Sequence, residues 1–378
     1  MPTRVRSYSK INLGLAIGAP RADGFHSLST LYQTLALHDI VTVSATSACQ
    51  TRIILRSNDP RVPCDGRNTA WKMVEKTLAQ LGRFAHVDIH IQKNLPIQGG
   101  MGAGSANAAA ALLGLEREMN LNLGEAIRLD LAAQVGSDVP LFLLGGSVLG
   151  SDRGQIVEPV ADVTLDGNSE IPCVIALPGI GVSTPAAFRD WDKLLIRQST
   201  PDLHNPPIRD TIEELSRTYA SVLTGKKISG IRHGKRGASG IFPDPSLALQ
   251  DTPEKQQGLS REQRHASLKA DESGIEDDLA ENSLLALVRT GIENDFETVV
   301  FPQYPLLREI KRHLMGSPQA EGSAVMAALS GSGSALFGLY RTQTDASAAQ
   351  QRLQQNGVEA IVTKTMPRTP YWDQMFAE

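Results

Sequence analysis

Residues 95–115 (LPIQGGMGAGSANAAAALLGL) combine a glycine-rich loop with an alanine-rich run, a combination suited to binding an anion. Glycines let the backbone turn sharply and approach a ligand closely. Ser105 and Asn107 are residue types that favour a helix N-terminus, and the alanines favour the helix after it. Unpaired N–H groups at the positive end of a helix dipole attract phosphate. The stretch therefore predicts a phosphate site, although a glycine-rich turn before a core helix would look the same.

Polar side chains that could act on a phosphate occur at two other places. Residues 5–18 predict a strand whose alternation puts Lys10 and Asn12 together on one face. The opposite face carries the apolar side chains of Ile11, Leu13, Leu15 and Ile17. Asp138 follows a predicted helix, in the sequence Ser-Asp-Val-Pro. A solvated lysine–asparagine pair and a capping carboxylate would also explain these residues.

The turn at residues 21–26 presents Phe25 and His26 side by side. Its Asp-Gly step is a turn signal. An aromatic ring can stack on a nucleobase, and an imidazole can hydrogen-bond to the edge of the base. Local packing of the two rings would explain the same pair, so both interpretations stay open at this point.

The glycine-rich loop differs from the two most familiar phosphate loops. No G-x-x-x-x-G-K-[ST] sequence occurs, and its nearest imitation, GIRHGKR at residues 230–236, is one residue short. The spacing of Gly100, Gly102 and Gly104 does not fit the dinucleotide fingerprint G-x-G-x-x-G. The protein-kinase sequences HRD and DFG are also absent. The loop therefore indicates another kind of phosphate site.

Five ordered motifs resemble the GHMP kinases, the superfamily of galactokinase, homoserine kinase and mevalonate kinase. Residues 96–110 are similar to the phosphate loop of that superfamily. Four further stretches are similar to one family within it, the 4-diphosphocytidyl-2-C-methyl-D-erythritol kinases: residues 9–33, 135–146, 178–188 and 329–340. The resemblance implies an α+β, two-domain GHMP kinase fold. Residues 1–158 would form a domain like domain 2 of ribosomal protein S5, and residues 159–378 a ferredoxin-like α+β domain.

The resemblance also implies an activity and a set of site residues. The reaction would be ATP-dependent phosphorylation, with Mg²⁺, of the 2-hydroxyl of 4-diphosphocytidyl-2-C-methyl-D-erythritol in the non-mevalonate isoprenoid route. The catalytic residues would be Lys10 and Asp138. The residues matching ATP contacts are Asn68, Thr69, Lys93, Pro96, Gly99, Gly100, Met101, Gly102, Ala103, Gly104, Ser105 and Asn107. Those matching substrate contacts are Asn12, Phe25, His26, Thr184, Gly331, Ser332 and Gly333.

Three positions depart from the family pattern. Phe25 stands where tyrosine is usual, which keeps base stacking but loses the phenol. Ala103 requires a negative φ or a forgiving environment. Ala106 lacks a hydroxyl that could contact phosphate or metal, so no protein ligand of Mg²⁺ is assigned. Two alternatives remain: another small-molecule kinase of the superfamily, which would not need Phe25 and His26, and a catalytically silent protein, which would be expected to have lost Lys10 or Asp138.

The totals describe a globular chain with room for two domains. It has 378 residues, 41% of them hydrophobic, and a formal net charge of −4, which argues against a mainly electrostatic nucleic-acid or membrane partner. Three widely spaced cysteines, Cys49, Cys64 and Cys173, favour neither a disulfide framework nor a zinc site. No targeting or membrane-spanning segment is evident, so we expect a bacterial cytoplasmic location. The resemblance implies an enzyme with a small-molecule substrate, and we expect a monomer or homodimer.

Local patterns predict the elements that must position these residues. Residues 37–45 and 51–57 look like a strand pair, residues 68–81 and 123–135 like helices, and residues 87–92 and 171–177 like strands. A helix should open at residues 183–185, and a hairpin should flank the glycine-rich turn at residues 330–334. Predicted elements beyond these are helices at 306–314 and 346–355 and a strand at 359–366. The span from 188 to 294 exceeds the family pattern by roughly 60 to 70 residues; within it, 211–223 could be helical and 225–278 reads as a mobile insertion.

Overall fold

The computed structural model describes residues 1–97, 99–198, 282–317 and 322–378, and elements are numbered over these residues. The predicted helix at 211–223 and the predicted insertion at 225–278 lie outside the described residues. Within the described ranges the chain forms two β-sheets with helices packed on them.

The first sheet has seven strands in the order β11-β1-β2-β4-β3, with β5 pairing β2 and β6 pairing β5. Their bounds are Thr3–Pro20 (β1), His26–Ser47 (β2), Arg52–Ser57 (β3), Ala85–Gln92 (β4), Ser147–Ser151 (β5), Ile156–Pro159 (β6) and Phe376–Ala377 (β11). The two strands predicted as a pair at 37–45 and 51–57 both exist, but their pairing is wrong because β4 lies between them. β3 runs parallel to β4, and parallel neighbours need a crossover, which α1 provides.

The helices of the first half are α1 (Thr69–Gln80), α2 (Ala103–Glu118) and α3 (Glu125–Val135), followed by a short 3₁₀ helix (Pro140–Leu143). Asn68 caps α1, its side chain accepting from the Ala70 N–H at 2.9 Å. The prediction that Ser105 or Asn107 begins α2 is wrong, because the N-cap is Gly102 and both residues lie inside the helix. The left-handed φ of 70° at Gly102 turns the chain into the helix, and Asn107 instead accepts a buried hydrogen bond from Ser7 at 2.6 Å.

The second sheet is antiparallel, in the order β10-β7-β9-β8. Its strands are β7 (Pro172–Leu177), β8 (Met326–Leu329), β9 (Leu336–Leu339) and β10 (Glu359–Lys364). Helices of this half are α4 (Thr184–Gln198), α5 (Ser283–Arg289), α6 (Phe296–Gln303), α7 (Pro305–Met315) and α8 (Gln343–Gln355). Helices α5 and α6 were not predicted. The predicted hairpin around residues 330–334 is confirmed by the β8–β9 pairing.

A shared apolar layer joins the two halves. Along β7, Val174 and Ala176 belong to the core formed with the second half's helices, whereas Cys173 and Ile175 pack in a cluster with Ile11 and other β1 and β2 side chains. This division follows from the alternation of side chains across a strand. All four apolar β1 residues predicted to share a face are buried, but they divide between two clusters: Ile11 and Leu13 in the central layer, and Leu15 and Ile17 in the second core. The register of β1 against β2 shifts between Asn12 and Gly14, which accounts for the division.

The C-terminal segment, for which the sequence predicted nothing, returns to the first sheet. Helix α9 (Arg368–Asp373) buries Tyr371, whose hydroxyl donates to the Phe142 carbonyl at 2.6 Å, and β11 pairs with β1.

The division of the chain into two domains at residue 158 stays a prediction. No helix over the described residues is long and apolar enough to cross a bilayer. All three cysteines are free, and burial raises the pKa of the Cys173 thiol.

Candidate active site

A cavity of 710 Å³ lies between β1, β2, the glycine-rich loop, α4 and the second glycine-rich turn. Two smaller cavities, of 530 Å³ and 200 Å³, also contain residues singled out from the sequence. We call the first the main cavity, and the loop at residues 99–104 the phosphate loop. The predicted site residues that line the main cavity are Lys10, Asn12, Phe25, His26, Gly100, Gly102, Asp138, Thr184, Gly331 and Ser332.

Lys10 and Asn12 form the polar face of β1 in this cavity. The Lys10 ammonium donates to Asn12 Oδ1 at 2.7 Å, and the Asn12 amide donates to Thr30 Oγ1 at 2.8 Å. Both residues are only 2% exposed, so the expected side-by-side placement is confirmed and the solvated alternative is wrong. A buried ammonium needs polar partners, and Asn12 and Asp138 provide them.

Asp138 faces Lys10, with 3.3 Å between its Oδ2 and the Lys10 Nζ. The Tyr32 hydroxyl donates to its other oxygen, Oδ1, at 3.1 Å. The alternative role as a helix cap does not hold, because the 3₁₀ helix has Val139 at its N-cap and no side-chain cap bond. Burial, together with the negative charge of Asp138 and its hydrogen bond, raises the pKa of Tyr32 well above its usual range. Tyr32 therefore remains a donor that orients the carboxylate.

The phosphate loop touches the second glycine-rich turn, and this contact requires glycine. Gly100 has a φ of 72°, and a Cβ there would stand 2.1 Å from the Ser330 carbonyl oxygen. The Ser330 hydroxyl donates to the Gly100 carbonyl at 3.0 Å, and the Lys10 N–H donates to the Met101 carbonyl at 3.0 Å. The two turns and β1 therefore hold one another in place, and both of these hydrogen bonds are accepted by backbone carbonyls of the loop.

The N-terminus of α2 is free of side-chain caps, so its first N–H groups remain for a ligand. Ala103 begins the helix and is absent from the described non-glycine residues with positive φ, so the condition for alanine at that position is met. Ala106 is buried within the helix. A helix N-terminus with an open first turn is a favourable place for a phosphate group.

The 200 Å³ cavity lies beside this helix start. The predicted ATP-contacting residues that line it are Asn68, Thr69, Lys93, Ala103, Gly104 and Asn107. The Lys93 ammonium is paired with the buried Asp39 carboxylate at 2.5 Å, and Asp39 also accepts from the Asn94 and Leu95 N–H groups. Lys93 thus anchors the segment that leads into the phosphate loop, in addition to bordering the cavity.

The 530 Å³ cavity adjoins the main cavity, sharing Gly100, Thr184 and Ser332 with it, and adds Gly333. The Thr184 and Ser332 hydroxyl oxygens lie 2.6 Å apart, which joins α4 to the second glycine-rich turn. The predicted residues that line none of these three cavities are Pro96, Gly99, Met101 and Ser105. Met101 is buried in the central apolar layer, which explains why its side chain is not at the site.

Aromatic and charged side chains line another part of the main cavity, and we call this set the base clamp: Phe25, His26, Arg153, Phe188 and Asp192. Phe25 is 49% exposed, and the Arg153 guanidinium lies 4.5 Å from its ring centroid. His26 is buried, stacks on Phe188 with 4.7 Å between ring centroids, and bonds through Nε2 to Asp192 at 2.7 Å. The Phe25 and His26 rings therefore do not simply pack on each other.

Tyr32, Arg153, Phe188 and Asp192 line the main cavity but were not predicted as site residues. Tyr32 and Phe188 lie inside the matched stretches 9–33 and 178–188, so their motifs were a usable signal. Arg153 and Asp192 had no signal, since each reaches the cavity from a segment distant in sequence from residues 25–26.

The chain is similar in sequence to known GHMP kinases. Residues 68–146 match the family model "GHMP kinases N terminal domain", and residues 272–359 match "GHMP kinases C terminal". The chain is 41% identical over 223 residues to the 4-diphosphocytidyl-2-C-methyl-D-erythritol kinase of Rhodococcus jostii (strain RHA1), covering 59% of this chain and 69% of that protein. It is 38% identical over 252 residues to the kinase of the same name from Streptomyces coelicolor, covering 66% and 80%.

A crystal structure of 4-(cytidine 5'-diphospho)-2C-methyl-D-erythritol kinase has a TM-score of 0.58 at 23% identity, covering 96% of this chain and 98% of that one. This likeness confirms the predicted α+β GHMP kinase fold. The sequence matches go further, because they join high identity to extensive coverage of the relatives. The chain therefore belongs to the 4-diphosphocytidyl-2-C-methyl-D-erythritol kinase family of the GHMP kinases.

Proposed function

We propose that the chain transfers the γ-phosphoryl group of ATP to the 2-hydroxyl of 4-diphosphocytidyl-2-C-methyl-D-erythritol, in the bacterial non-mevalonate isoprenoid route. The observation that carries this proposal is that a single cavity is lined by the Lys10–Asp138 pair, the phosphate loop and the base clamp. A kinase acting on a small alcohol without a nucleobase would use the first two and have no need of the third.

The phosphate loop and the open N-terminus of α2 would hold the phosphates of ATP, and the 200 Å³ cavity beside them would take its base. Among the described residues there is no group of three or more His, Cys, Asp or Glu that could hold a metal. Mg²⁺ would be bound mainly by phosphate oxygens and water. When bound, the ion would neutralise charge on the transferring phosphate.

Asp138 would orient the substrate hydroxyl and accept its proton while the hydroxyl oxygen bonds to the γ-phosphorus and the bond to the β-phosphate oxygen breaks. Lys10, 3.3 Å from this carboxylate, would stabilise the negative charge that develops on the phosphoryl oxygens. Asn12 and Tyr32 would support the pair, each through its hydrogen bond to one member.

The base clamp would receive the cytosine. Phe25 and Phe188 supply ring faces, His26 supplies a hydrogen-bonding edge, and the Arg153 guanidinium supplies a positive charge in the same cavity. Phenylalanine in place of the usual tyrosine preserves stacking at position 25. Thr184, which joins α4 to the second glycine-rich turn, would help to enclose the substrate.

The test is ATP turnover by the purified protein with Mg²⁺ on five alcohols: the cytidylated substrate, uncytidylated methylerythritol phosphate, mevalonate, homoserine and galactose. We expect turnover confined to the cytidylated compound. Asp138→Asn should lower kcat by at least about 10²-fold, the usual scale of a general-base contribution. Asp130→Asn, on the exposed face of α3 where the carboxylate accepts from Gln134, is the matched control.

Three other results of this turnover assay would each exclude one part of the proposed function. Turnover on a different alcohol would keep the phosphate loop and the Lys10–Asp138 pair but remove the base clamp from the substrate site. ATP binding without turnover of any of the five compounds would favour a catalytically silent protein. Full activity of Asp138→Asn would exclude the proposed role of that carboxylate.

A further inference from the structure

The contact between His26 and Asp192 joins two distant parts of the chain inside the main cavity. His26 stands at the start of β2, and Asp192 lies in α4, 166 residues later. One turn before Asp192 in α4, the Phe188 ring stacks on the imidazole with an interplanar angle of 18°. Residues four apart share a face of a helix, so α4 presents a ring and a carboxylate to the same imidazole. The plane and one edge of His26 are therefore both held.

The carboxylate determines which ring nitrogen carries the proton. An ionised Asp192 can only accept hydrogen bonds, and its Oδ1 lies 2.7 Å from His26 Nε2. The neutral imidazole is thereby held as the tautomer protonated on Nε2, which makes Nδ1 an acceptor. Within the described residues, Nδ1 makes no hydrogen bond. It is also not among their buried side-chain atoms that lack a partner, so it is accessible. Nδ1 is thus left to a ligand.

An acceptor at this position distinguishes two pyrimidines of nearly equal shape. Cytosine carries an amino group, a donor, at the ring position where uracil carries a carbonyl oxygen, an acceptor. An Nδ1 acceptor pairs with the amino group and opposes the carbonyl oxygen. The opposite tautomer, protonated on Nδ1, would reverse that preference.

We propose that Asp192 is a positioning residue that fixes the His26 tautomer and thereby makes the base clamp select a cytidine over a uridine substrate. This inference rests on the proposed function. Asp192 would act through His26, the side chain to which it is bonded. The described cationic side chains that share the cavity with this pair are Lys10, Arg153 and Arg189. Lys10 pairs with Asp138 and Arg153 stacks on Phe25, whereas the ion pair recorded for Asp192 is with His26.

The first experiment measures kcat/KM for the cytidylated substrate and for its uridine counterpart in the full chain. Asp192→Asn keeps the size of the side chain but offers His26 either a donor or an acceptor, so it no longer fixes the tautomer. We expect the cytidine-to-uridine ratio to fall by roughly tenfold or more, since the imidazole can then adapt to either base edge. Asp192→Glu, which retains a carboxylate, should keep more of the preference than the amide does.

Asp190→Asn is the matched control on the same helix. Its carboxylate bonds to Lys193 and Gln303 and does not line the main cavity. The ratio should be unchanged in this variant. A general disturbance of α4 would instead lower turnover of both substrates equally and would appear in the control as well.

The second experiment observes the tautomer directly, in the absence of substrate, from the ¹⁵N shifts of the His26 ring nitrogens in histidine-labelled protein. The resonance is assigned by its loss in His26→Gln. In the wild type we expect Nε2 to be protonated and Nδ1 not, and in Asp192→Asn a mixture or the reverse. A packing role for Asp192 would leave these shifts unaltered.

The two experiments distinguish failure of the proposed Asp192 role from failure of the proposed kinase function. A wild type that phosphorylates neither diphosphate overturns the proposed function and the selectivity with it, while the nitrogen shifts still decide whether Asp192 fixes the tautomer. Wild-type turnover of the cytidine compound, combined with an Asp192→Asn ratio within about twofold of wild type, overturns the inference and leaves the proposed function standing.

Discussion

The phosphate loop and the base clamp line the same cavity, but one is built from backbone and the other from side chains. At the phosphate loop, a Cβ on Gly100 would clash with the Ser330 carbonyl oxygen, and the backbone carbonyl of Gly100 accepts a hydrogen bond from the Ser330 hydroxyl. In the base clamp, side chains from three segments line the cavity, and one of them, Phe25, is half exposed. The loop should therefore tolerate almost no substitution, whereas the clamp should tolerate exchanges that alter selectivity and leave the chemistry intact.

The phosphate loop and the base clamp would also bind their ligands by different interactions. Backbone N–H groups and a helix dipole recognise charge, which every nucleoside triphosphate presents. Stacked rings and one oriented imidazole recognise the shape and edge of a base. Four variants test the contrast, from the largest expected effect to the smallest.

Lys10→Met should have the largest effect, because it removes the buried ammonium that faces Asp138. We expect kcat to fall by at least about 10²-fold with little change in the KM for the cytidylated substrate, since charge stabilisation acts mainly in the transition state. Steady-state kinetics measures both parameters. Lys76→Met, on α1 where the ammonium contacts Gln134, should behave as wild type. A Lys10→Met enzyme with near-normal kcat would remove the pair from the proposed chemistry.

Gly100→Ala should damage the phosphate side alone. The new methyl group would stand 2.1 Å from the Ser330 carbonyl oxygen, at a φ of 72° that L-residues disfavour. We expect a loss of about 1–3 kcal/mol in unfolding free energy and a weakened apparent affinity for ATP. Urea unfolding and the KM for ATP measure these. Gly82→Ala shares the positive φ but meets nothing within 4 Å, so it separates backbone strain from the clash. Equal behaviour of the two variants would contradict the close contact.

Phe188→Leu should damage the base side alone. It replaces a ring that stacks on His26 and lines the cavity with an aliphatic side chain of lower stacking ability. We expect the KM for the cytidylated substrate to rise by roughly tenfold, with the KM for ATP and kcat nearly unchanged. Phe84→Leu, at a ring that is 54% exposed, is the control. A parallel rise in the KM for ATP would show that the two parts of the cavity are not separable in the way proposed here.

Asp295→Asn should affect neither part and should alter only how stability depends on pH. Burial raises the pKa of Asp295 from 3.8 to about 6, with a hydrogen bond from Ile17 N–H opposing and the Glu293 charge adding to the rise. The folded protein therefore holds this proton more tightly than the unfolded chain does. The resulting stabilisation is present below about pH 4 and is lost as the pH rises through about 6.

Thermal melting of wild type and Asp295→Asn across that range measures the effect. Asparagine still accepts from the Ile17 N–H but does not titrate, so the wild type should lose melting temperature relative to the variant between about pH 4 and 6. Melting curves that stay parallel over this range would show that Asp295 does not titrate as its burial indicates. Unchanged KM values for both substrates would agree with its place outside the two binding parts.

Local patterns predicted much of the framework correctly. Strand alternation was enough to put Lys10 beside Asn12, and the hydrogen bond at 2.7 Å confirms it. Apolar residues at helical spacing after Asn68 were enough to predict α1. The turn between β8 and β9 was also predicted from its glycines and serines. In each case the determining interactions lie within a few residues of one another.

Predictions failed where a local signal competed with a distant contact. Ser105 and Asn107 are favourable N-cap residues, but Gly102 caps α2. The chain turns there with a left-handed φ, and a Cβ at this position would clash with the side chains of Phe142 and Lys10. Strands β2 and β3 are consecutive, yet β4 separates them because α1 carries the chain across. The C-terminal residues showed no pattern, although β11 completes an edge of the first sheet.

By itself the sequence determined the phosphate loop, the polar face of β1, the Phe25–His26 pair and the family pattern that relates them. Only the tertiary structure decided that Tyr32 orients Asp138, that Ser330 closes on Gly100 across 230 residues, and that Asp192 holds His26. The physical reason is the range of the interactions. Side-chain alternation and helix capping act between near neighbours, whereas these three contacts exist only once two sheets have buried a common apolar layer and brought their polar edges to one cavity.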